Sequence, residues 1–282
     1  MDAPLLPRPP VALSIAGSDP SGGAGIQADL KTFSALGAYG TCVLTALTAQ
    51  STTGVTHVHE VPVETVRAQL DTLVEDVRID AVKVGMLSST ALVVAVRERL
   101  TSGPLATTPL VLDPVMVSTS GSRLLDDDAV AAMRELLPRA DVITPNVPEA
   151  AVLLGEEPVG SLSGLTGQAH RLVEAGARRV LLKGGHLDGP ESVDLWLDPD
   201  AGGPVEVRAP RIATTATHGT GCTLSSALAA LRPRHQEWLP TVRAAKSWLT
   251  EALRHGEVLD IGAGAGPVHH FHEQARWRDV SG

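Results

Sequence analysis

The chain has 282 residues, of which 43% are hydrophobic, and this length suits one large α/β domain better than two small ones. Its net charge is −9 with scattered Lys and Arg, which excludes the basic surface typical of nucleic-acid binders. No apolar stretch approaches the ~18 residues of a membrane span, and the start lacks the basic region of a signal peptide. With two distant cysteines and no disulfide framework, we expect a cytoplasmic protein without nucleic-acid or membrane partners.

The chain opens with a proline-rich segment, residues 1–10, that we expect to be a flexible arm ahead of a single domain over 11–282. Within this domain, apolar segments rich in β-formers alternate with segments of helical period. The predicted strands are 11–16, 39–49, 81–84, 110–113, 142–144 and 180–183. The predicted helices among them are 25–36, 63–77, 89–100, 126–137, 147–154 and 165–175.

Several of these strands are apolar without interruption, which is typical of strands buried on both faces of a parallel sheet. Together with the strand–helix alternation, this predicts an α/β fold with a mostly parallel sheet and helices on both faces. Residues 52–61 alternate and predict an exposed edge strand, while 192–197 and 205–209 predict a hairpin. Two further helices are expected at 222–231 and 241–255.

Gly, Pro and polar residues follow the predicted strands of the parallel sheet, and ligands of such sheets bind at the carboxyl ends of the strands. One of these loops contains Gly23, Gly25 and Ala28 in the G-x-G-x-x-G/A pattern of dinucleotide-binding proteins. That pattern also needs an acidic residue about 20 positions further on. The predicted strand 39–49 has none, which argues against a dinucleotide site. The Walker pattern of P-loop NTPases is also absent from the sequence.

A second candidate site is the start of the helix that follows residue 218. Gly219, Thr220 and Gly221 precede Cys222 where this apolar helix begins. The first N–H groups of a helix lack internal partners and lie at the positive end of its dipole, so such a turn can hold a phosphate. These residues alone are equally consistent with an anion site carrying a reactive thiol and with a glycine-rich helix start carrying an inert cysteine.

Several segments of the chain, taken together, match one known family of enzymes. These segments are Ala16-Gly17-Ser18-Asp19-Pro20-Ser21-Gly22-Gly23-Ala24-Gly25-Ile26-Gln27-Ala28-Asp29-Leu30-Lys31, Thr45-Ala46-Leu47-Thr48-Ala49-Gln50, Lys83-Val84-Gly85-Met86-Leu87, Leu112-Asp113-Pro114-Val115-Met116, Pro145-Asn146-Val147-Pro148-Glu149-Ala150, Lys183-Gly184-Gly185-His186, His218-Gly219-Thr220-Gly221-Cys222 and Gly266-Pro267-Val268-His269-His270-Phe271. They resemble the hydroxymethylpyrimidine/phosphomethylpyrimidine kinases of thiamine biosynthesis, and the resemblance runs in order from Val11 to Phe271.

The resemblance implies a ribokinase-like fold, with a central, mostly parallel sheet and helices on both faces. It also implies an activity: the γ-phosphate of Mg-ATP is transferred to 4-amino-5-hydroxymethyl-2-methylpyrimidine, and the monophosphate is then phosphorylated to the diphosphate. Mg²⁺ and ATP are therefore the expected cofactor and co-substrate, and a homodimer is expected by analogy. Two alternatives stay open, namely a pyridoxal or pyridoxine kinase and a catalytically silent pyrimidine- or nucleotide-binding protein.

By the same resemblance, the turn formed by Gly219, Thr220 and Gly221 would be the anion hole for the transferred phosphoryl group. Cys222 would be the catalytic residue facing the hydroxymethyl group, and its place at a helix N-terminus predicts a lowered thiol pKa that suits a base. Most ribokinase-like enzymes have Asp at this position. We hypothesise that a largely neutral thiol tolerates the anionic monophosphate, which a carboxylate would repel.

Other implied roles concern the pyrimidine pocket. Asp29 and Gln50 would read the ring, since an aminopyrimidine offers a donor amine beside an acceptor nitrogen. Gly17, Met86 and Val115 would line the same pocket. The structural alternatives are a surface position early in a helix for Asp29, a polar strand end for Gln50, and core packing for Met86 and Val115.

The remaining implied roles concern the nucleotide. Asn146 and Glu149 resemble the N-x-x-E element that arranges Mg²⁺ and phosphate, partly through water, and Asp113 could join them. The same spacing is that of a helix capping box, and both can hold. Lys183 would neutralise ATP phosphates, unless it only extends from a strand end to solvent. Lys246 could approach the nucleotide or lie on a solvated helix face.

Overall fold

The structure is a computed structural model that describes residues 8–116, 128–185, 187 and 189–274. The strands are β1 Val11–Ser18, β2 Tyr39–Ser51, β3 Gly54–Glu60, β4 Ala81–Val84, β5 Leu110–Leu112, β6 Val142–Ile143, β7 Val180–Leu182, β8 Glu191–Asp198 and β9 Gly203–Pro210. The α-helices are α1 Gly25–Ala35, α2 Val63–Asp76, α3 Thr90–Leu100, α4 Ala129–Leu136, α5 Val147–Leu154, α6 Leu162–Glu174, α7 Thr220–Leu231 and α8 Trp238–Arg254.

All these strands share one nine-stranded sheet, in the order β3-β2-β1-β4-β5-β6-β7-β8-β9 across the described residues. Strands β1, β2 and β4 to β7 are parallel, whereas β3, β8 and β9 are antiparallel and lie toward the two edges. The predicted edge strand and hairpin are therefore confirmed. The chain moves from β1 to β2 on one side and then returns to β4 on the other, so the strand order switches beside β1. A crevice opens at the carboxyl ends of the strands at such a switch point.

Two layers of helices bury the sheet. Helices α2 to α6 cover one face through side chains such as Leu70 and Leu92, while α1, α7 and α8 cover the other through Phe33, Leu228 and Val242. Because both faces are covered, the central strands are continuously buried, as their apolar sequences predicted. No helix among the described residues has both the length and the apolar character needed to cross a bilayer.

A few boundaries differ from the sequence expectation. Helix α6 begins at Leu162 rather than 165, because the Ser161 side chain caps it by accepting a hydrogen bond from Gly164 N. The helix predicted over 126–137 is α4, which begins at Ala129, and residues 126 and 127 lie outside the described part of the chain.

The end of the predicted flexible arm contacts the sheet. Residues 1–7 lie outside the described part of the chain. Arg8 donates to Asp80 Oδ2 at 2.8 Å, and Pro10 O accepts a hydrogen bond from Tyr39 N at 2.8 Å. The flexibility of residues 1–10 stays a prediction.

Candidate active site

The predicted site residues converge where helix α7 meets the carboxyl ends of the central strands. Helix α7 packs against β1, β4 and β5, so its first turn lies at the switch in strand order. This first turn, made of Gly219, Thr220, Gly221 and Cys222, is called the α7 turn below. The loop that follows β1, residues 19–24, lies beside it and is called the β1 loop.

The α7 turn is closely packed through its glycines. Gly219 has a φ of +75°, and a Cβ there would lie 1.8 Å from the carbonyl oxygen of Gly23 in the β1 loop. A Cβ at Gly221 would lie 3.2 Å from Lys183 Nζ. Glycine is therefore required at residue 219 both for its left-handed backbone and for the contact between the two loops. At Gly221, the bare backbone lies beside a lysine ammonium, which suits an anion held by both.

Lys183, Asp113 and Glu149 form an open cluster at the ends of β7, β5 and the start of α5. Lys183 Nζ donates to Asp113 Oδ1 at 3.0 Å and lies 3.7 Å from Glu149 Oε2. Burial raises the pKa of Glu149 to about 7, since Lys183 only partly offsets burial and the nearby Asp113 carboxylate adds to it. The Lys183 side chain keeps 15% of its surface exposed. The cluster thus presents a lysine to the crevice and carries one more carboxylate than ammonium groups.

Both residues of the N-x-x-E element also stabilise the start of helix α5. Asn146 Oδ1 accepts from Glu149 N at 2.8 Å, and Glu149 Oε2 accepts from Asn146 N at 2.7 Å. This is a complete capping box at the start of α5. The capping alternative is therefore confirmed, while the predicted roles in holding Mg²⁺ and phosphate stay predictions.

Lys83 and Asp29 form a sealed pair beneath the α7 turn. Lys83 Nζ lies 2.9 and 2.8 Å from the two carboxylate oxygens of Asp29, and both side chains are 0% exposed. Ser14 and Ser226 donate to the same carboxylate at 2.5 and 2.6 Å. Burial alone would lower the pKa of Lys83, but Asp29, aided by Asp113, raises it to about 12.

This arrangement corrects one of the two expectations for Asp29. The residue is not on the helix surface, because α1 packs it into the core. Its two carboxylate oxygens accept from an ammonium and two hydroxyls of the protein. The structure therefore makes Asp29 the counter-ion of Lys83, while its predicted contact with the pyrimidine ring stays a prediction.

The pKa of Cys222 also departs from the sequence expectation. Burial and the carboxylates of Asp29 and Asp113 raise the pKa of its thiol to about 11, although Lys83 and a hydrogen bond from the Gly25 backbone act in the opposite direction. The helix N-terminus was expected to lower this pKa, and that prediction is wrong. A neutral thiol at neutral pH cannot serve as an effective general base.

The predicted pocket residues lie at neighbouring strand ends. A Cβ at Gly17 would lie 3.2 Å from Met86 Sδ, so the ends of β1 and β4 are in contact. Thr48 Oγ1 donates to Ser18 O at 2.7 Å and lies 3.2 Å from Gln50 Oε1, which ties the end of β2 to β1. Gln50 is half-buried rather than enclosed in the core. Val115 is also half-buried, just after Asp113. Their predicted contacts with the pyrimidine stay predictions.

Lys246 lies in a buried position on α8. Its ammonium donates to Asp194 Oδ2 at 2.7 Å and to Ser192 Oγ at 2.9 Å, and the residue is 7% exposed. The alternative of a solvated helix face is therefore wrong. Asp194 also accepts from the backbone N–H of Gly184, the residue after Lys183. Through Asp194, Lys246 therefore helps to hold the end of β7 in place. A direct contact of Lys246 with ATP stays a prediction.

Sequence reasoning missed two residues at the centre of the site, Asp19 and His218. The His218 ring nitrogen Nε2 lies 2.8 Å from Asp19 Oδ2, and both side chains are buried. The pair joins the β1 loop to the residue just before the α7 turn. The only sequence signal was their presence in two of the segments that carry the family resemblance, because 199 residues separate them along the chain.

Comparison with known proteins places this architecture in a family. The sequence model described as phosphomethylpyrimidine kinase matches residues 19–269. The chain belongs to this family. It is 55% identical to the hydroxymethylpyrimidine/phosphomethylpyrimidine kinase of Escherichia coli K12 over 262 residues, which are 93% of this chain and 97% of that protein. The chain is therefore a phosphotransferase, as the resemblance implied.

Solved structures agree with the fold. The ADP complex of Bacillus subtilis pyridoxal kinase is similar with a TM-score of 0.85 and 32% identity, covering 95% of this chain and 100% of that one. The phosphomethylpyrimidine kinase of Clostridium difficile 630 is similar with a TM-score of 0.74 and 39% identity, covering 86% and 99%. These similarities confirm the expected ribokinase-like fold.

Proposed function

We propose that this protein uses ATP to phosphorylate 4-amino-5-hydroxymethyl-2-methylpyrimidine and then phosphorylates the monophosphate to the diphosphate. The observation that carries the proposal is the place of the α7 turn, whose Gly221 backbone lies beside Lys183 at the carboxyl ends of the central strands. Family membership supplies the substrate class, through relatives named for both phosphorylations.

The geometry suits phosphoryl transfer, which depends mainly on alignment and on stabilising charge. The α7 turn is the positive end of the α7 dipole, which suits the negative charge that a transferred phosphoryl group would carry there. Lys183 adds a positive charge within 3.2 Å of the Cβ position at Gly221. In this proposal, the turn and Lys183 hold the γ-phosphate between them during transfer.

We further propose that Mg²⁺ accompanies ATP beside the open cluster. The donor set fits this ion, since carboxylate oxygens from Asp113 and Glu149 lie around Lys183 and Mg²⁺ prefers oxygen ligands and retained waters. The raised pKa of Glu149 indicates a buried carboxylate whose charge Lys183 compensates only in part. Asp113 already accepts from Lys183, Thr144 and Ser225, so Asp113 and Glu149 would hold the ion partly through water. When bound, the ion supplies charge neutralisation on the phosphate oxygens.

At the acceptor end, we assign ring recognition to Gln50, with Gly17, Met86 and Val115 as the apolar walls. A glutamine side chain offers both a donor and an acceptor, which matches the amine and ring nitrogen of an aminopyrimidine. Cys222 lies near the reacting group as a neutral thiol rather than as a base. This neutrality permits an acceptor that is already a phosphate, which a carboxylate at residue 222 would repel.

The test is a steady-state assay of ATP consumption with three acceptors: the hydroxymethylpyrimidine, its monophosphate and pyridoxal. We expect turnover of both pyrimidines, with pyridoxal slower. Faster turnover of pyridoxal would favour the second candidate function, that of a pyridoxal kinase. The structural similarity to such a kinase is the reason for testing it. No turnover, combined with a melting temperature raised by the pyrimidine, would identify a silent binder.

We also propose that residues 11–282 act as one kinase domain and that the protein is a cytoplasmic homodimer. The single sheet of the described chain supports the first part. The homodimer is proposed by analogy with the family. Light scattering on the purified protein tests it, and a monomeric mass at all concentrations would contradict it.

A further inference from the structure

We propose that His218 is a positioning residue for phosphoryl transfer, whose bond to Asp19 fixes the α7 turn against the β1 loop. The proposal rests on the proposed function, because it concerns the geometry in which the γ-phosphate meets its acceptor. Three observations carry it: the hydrogen bonds of Asp19, the contacts of the neighbouring glycines, and the backbone bond of His218.

Asp19 organises the β1 loop through its carboxylate. It accepts hydrogen bonds from the backbone N–H groups of Ser21, Gly23 and Ala24 at 2.8, 3.1 and 2.8 Å, and from the Ser21 hydroxyl at 2.7 and 2.9 Å. Burial alone would raise the pKa of Asp19, but the bonds from His218, Ser21 and the loop backbone lower it to about 2. The group is thus an acceptor only, and His218 Nε2 must carry the hydrogen that it donates at 2.8 Å.

The glycines on both sides of this contact are closely packed. A Cβ at Gly23 would lie 2.2 Å from His218 Cδ2, and a Cβ at Gly219 would lie 1.8 Å from Gly23 O. The imidazole therefore packs on the bare backbone of the β1 loop, while the loop packs on the bare backbone of the α7 turn. A shift of the His218 ring would be passed directly to the turn that is to hold the phosphate.

The backbone of His218 is held from the opposite side. Its N–H donates to Gly266 O at 2.9 Å, in the segment that follows α8. That segment reaches the turn between β2 and β3, where Gly264 N donates to Thr52 Oγ1 at 3.1 Å and a Cβ at Gly264 would lie 2.0 Å from Thr52 O. Thr52 follows Gln50 by two residues. His218 therefore connects the phosphate turn to both the β1 loop and the strand end that carries Gln50.

This position predicts an effect on the transition state rather than on substrate binding. Displacing a reacting group by about 1 Å can lower the rate about 100-fold even when binding is preserved. A change at His218 that frees the α7 turn should therefore lower kcat and leave KM for the pyrimidine nearly unchanged. If His218 had a purely structural role, its replacement would lower stability but would not lower kcat while leaving KM unchanged.

The experiment compares His218→Phe, His218→Gln and a control, Asp198→Asn, in the full-length protein. Phenylalanine keeps the ring but removes the donor, whereas glutamine places an amide donor where Nε2 lies. Asp198 is a similarly buried carboxylate that accepts from Arg179 Nε at 2.7 Å at the amino end of β7, far from the site. Its variant reports what the loss of a buried charge costs in stability alone. Melting temperature, kcat and KM are measured for all four proteins.

We expect His218→Phe to lower kcat about 30- to 100-fold with KM within about threefold, and His218→Gln to recover most of the loss. We expect Asp198→Asn to melt earlier and keep the wild-type kcat. The proposal is overturned if His218→Phe melts earlier but keeps kcat within about threefold, or if the whole loss is in KM. If the wild-type protein turns over no pyrimidine, the proposed function fails as well. An active wild type with an unimpaired His218→Phe removes the positioning role alone.

Discussion

Two lysine–carboxylate groups lie within the same site and differ in what surrounds them. The sealed pair, Lys83 with Asp29, and the open cluster, Lys183 with Asp113 and Glu149, have nearly equal Nζ–O distances of 2.8 and 3.0 Å. The sealed pair is 0% exposed and closed by Ser14 and Ser226. The open cluster contains an additional carboxylate and borders the glycine of the α7 turn.

The difference teaches that the balance of charge, rather than the ion pair itself, separates structural from functional charges. In the sealed pair, every charge is balanced by a protein group, so it needs no ligand and costs stability if broken. In the open cluster, one carboxylate lacks a full partner and the lysine still reaches the crevice. A ligand with phosphate and a divalent cation would complete that charge balance.

The largest expected effect is on stability, at the sealed pair. Lys83→Met leaves the Asp29 carboxylate buried with only two hydroxyl donors, so we expect a loss of about 3–5 kcal/mol in the free energy of unfolding. Urea denaturation measures it. The double variant Lys83→Met/Asp29→Leu removes both charges and should recover most of this loss. A single variant as stable as the wild type would show that the pair is not sealed.

At the open cluster, the same substitution should act on catalysis. Lys183→Met should lower kcat/KM for ATP about 10²- to 10³-fold, because a charge that faces the transferred phosphate is lost. Stability should fall less than in Lys83→Met, because Asp113 keeps the bonds from Thr144 and Ser225 and the nearby positive charge of Lys83. Coupled kinase assays and thermal melting measure the two quantities. If Lys183→Met and Lys83→Met both act mainly on stability, the distinction between a structural sealed pair and a functional open cluster is wrong.

The sequence predicted the positions of these charges but not their surroundings. Lys83, Asp113 and Lys183 follow or end apolar strands, and parallel strands bring their carboxyl ends to one edge. The mostly parallel sheet, the edge strand and the hairpin were likewise predicted from apolar patterns, whereas the strand order comes from the structure. Local patterns predict these features because the residues of a strand show by their hydrophobicity whether the strand is buried.

The errors within the site came from partners distant in sequence. A surface position was expected for Asp29 because no residue near it in the sequence indicates Lys83, 54 residues away. The pKa of Cys222 was inferred from its own helix, but burial, together with the carboxylates of Asp29 and Asp113 from other elements, raises it. Asp19 and His218 were overlooked for the same reason. Such long-range groups are set by the tertiary fold, which local patterns do not contain.

The third prediction concerns the additional carboxylate of the open cluster. The pKa of Glu149 rises from 4.5 to about 7 on folding, so between these values the folded state binds more protons than the unfolded state. The wild type should therefore lose stability, relative to Glu149→Gln, as pH rises from about 4.5 to about 7, and the difference should level off above pH 7. The expected size is on the order of 3 kcal/mol.

Glutamine is a matched replacement, because it can keep the capping box with Asn146 while removing the charge. Urea denaturation of both proteins across this pH range gives the difference directly. Above pH 7, Mg-ATP should raise the melting temperature of the wild type more than that of the variant. A stability difference that does not vary with pH would show that the carboxylate is already fully compensated.

The smallest expected effect concerns Cys222, which lies between the sealed pair and the open cluster. Its thiol has a pKa of about 11 and is neutral at working pH. Cys222→Asp would add a carboxylate beside Asp29 and Asp113, and the monophosphate would meet that charge whereas the unphosphorylated pyrimidine would not. We expect kcat/KM for the monophosphate to fall about 10-fold more than that for the pyrimidine, which is about 1.4 kcal/mol.

Cys222→Ser is the matched control, since it is small and neutral and should change both activities to a similar extent. The informative quantity is the ratio of the two kcat/KM values within each variant, because this ratio cancels any shared loss from misfolding or from displacement of the α7 turn. If the ratio in Cys222→Asp equals that of the wild type, repulsion by a carboxylate is not the reason for a thiol here. The sulfur would then have to be explained by the packing of the sealed pair beneath it, since Lys83 and Asp29 both act on its pKa.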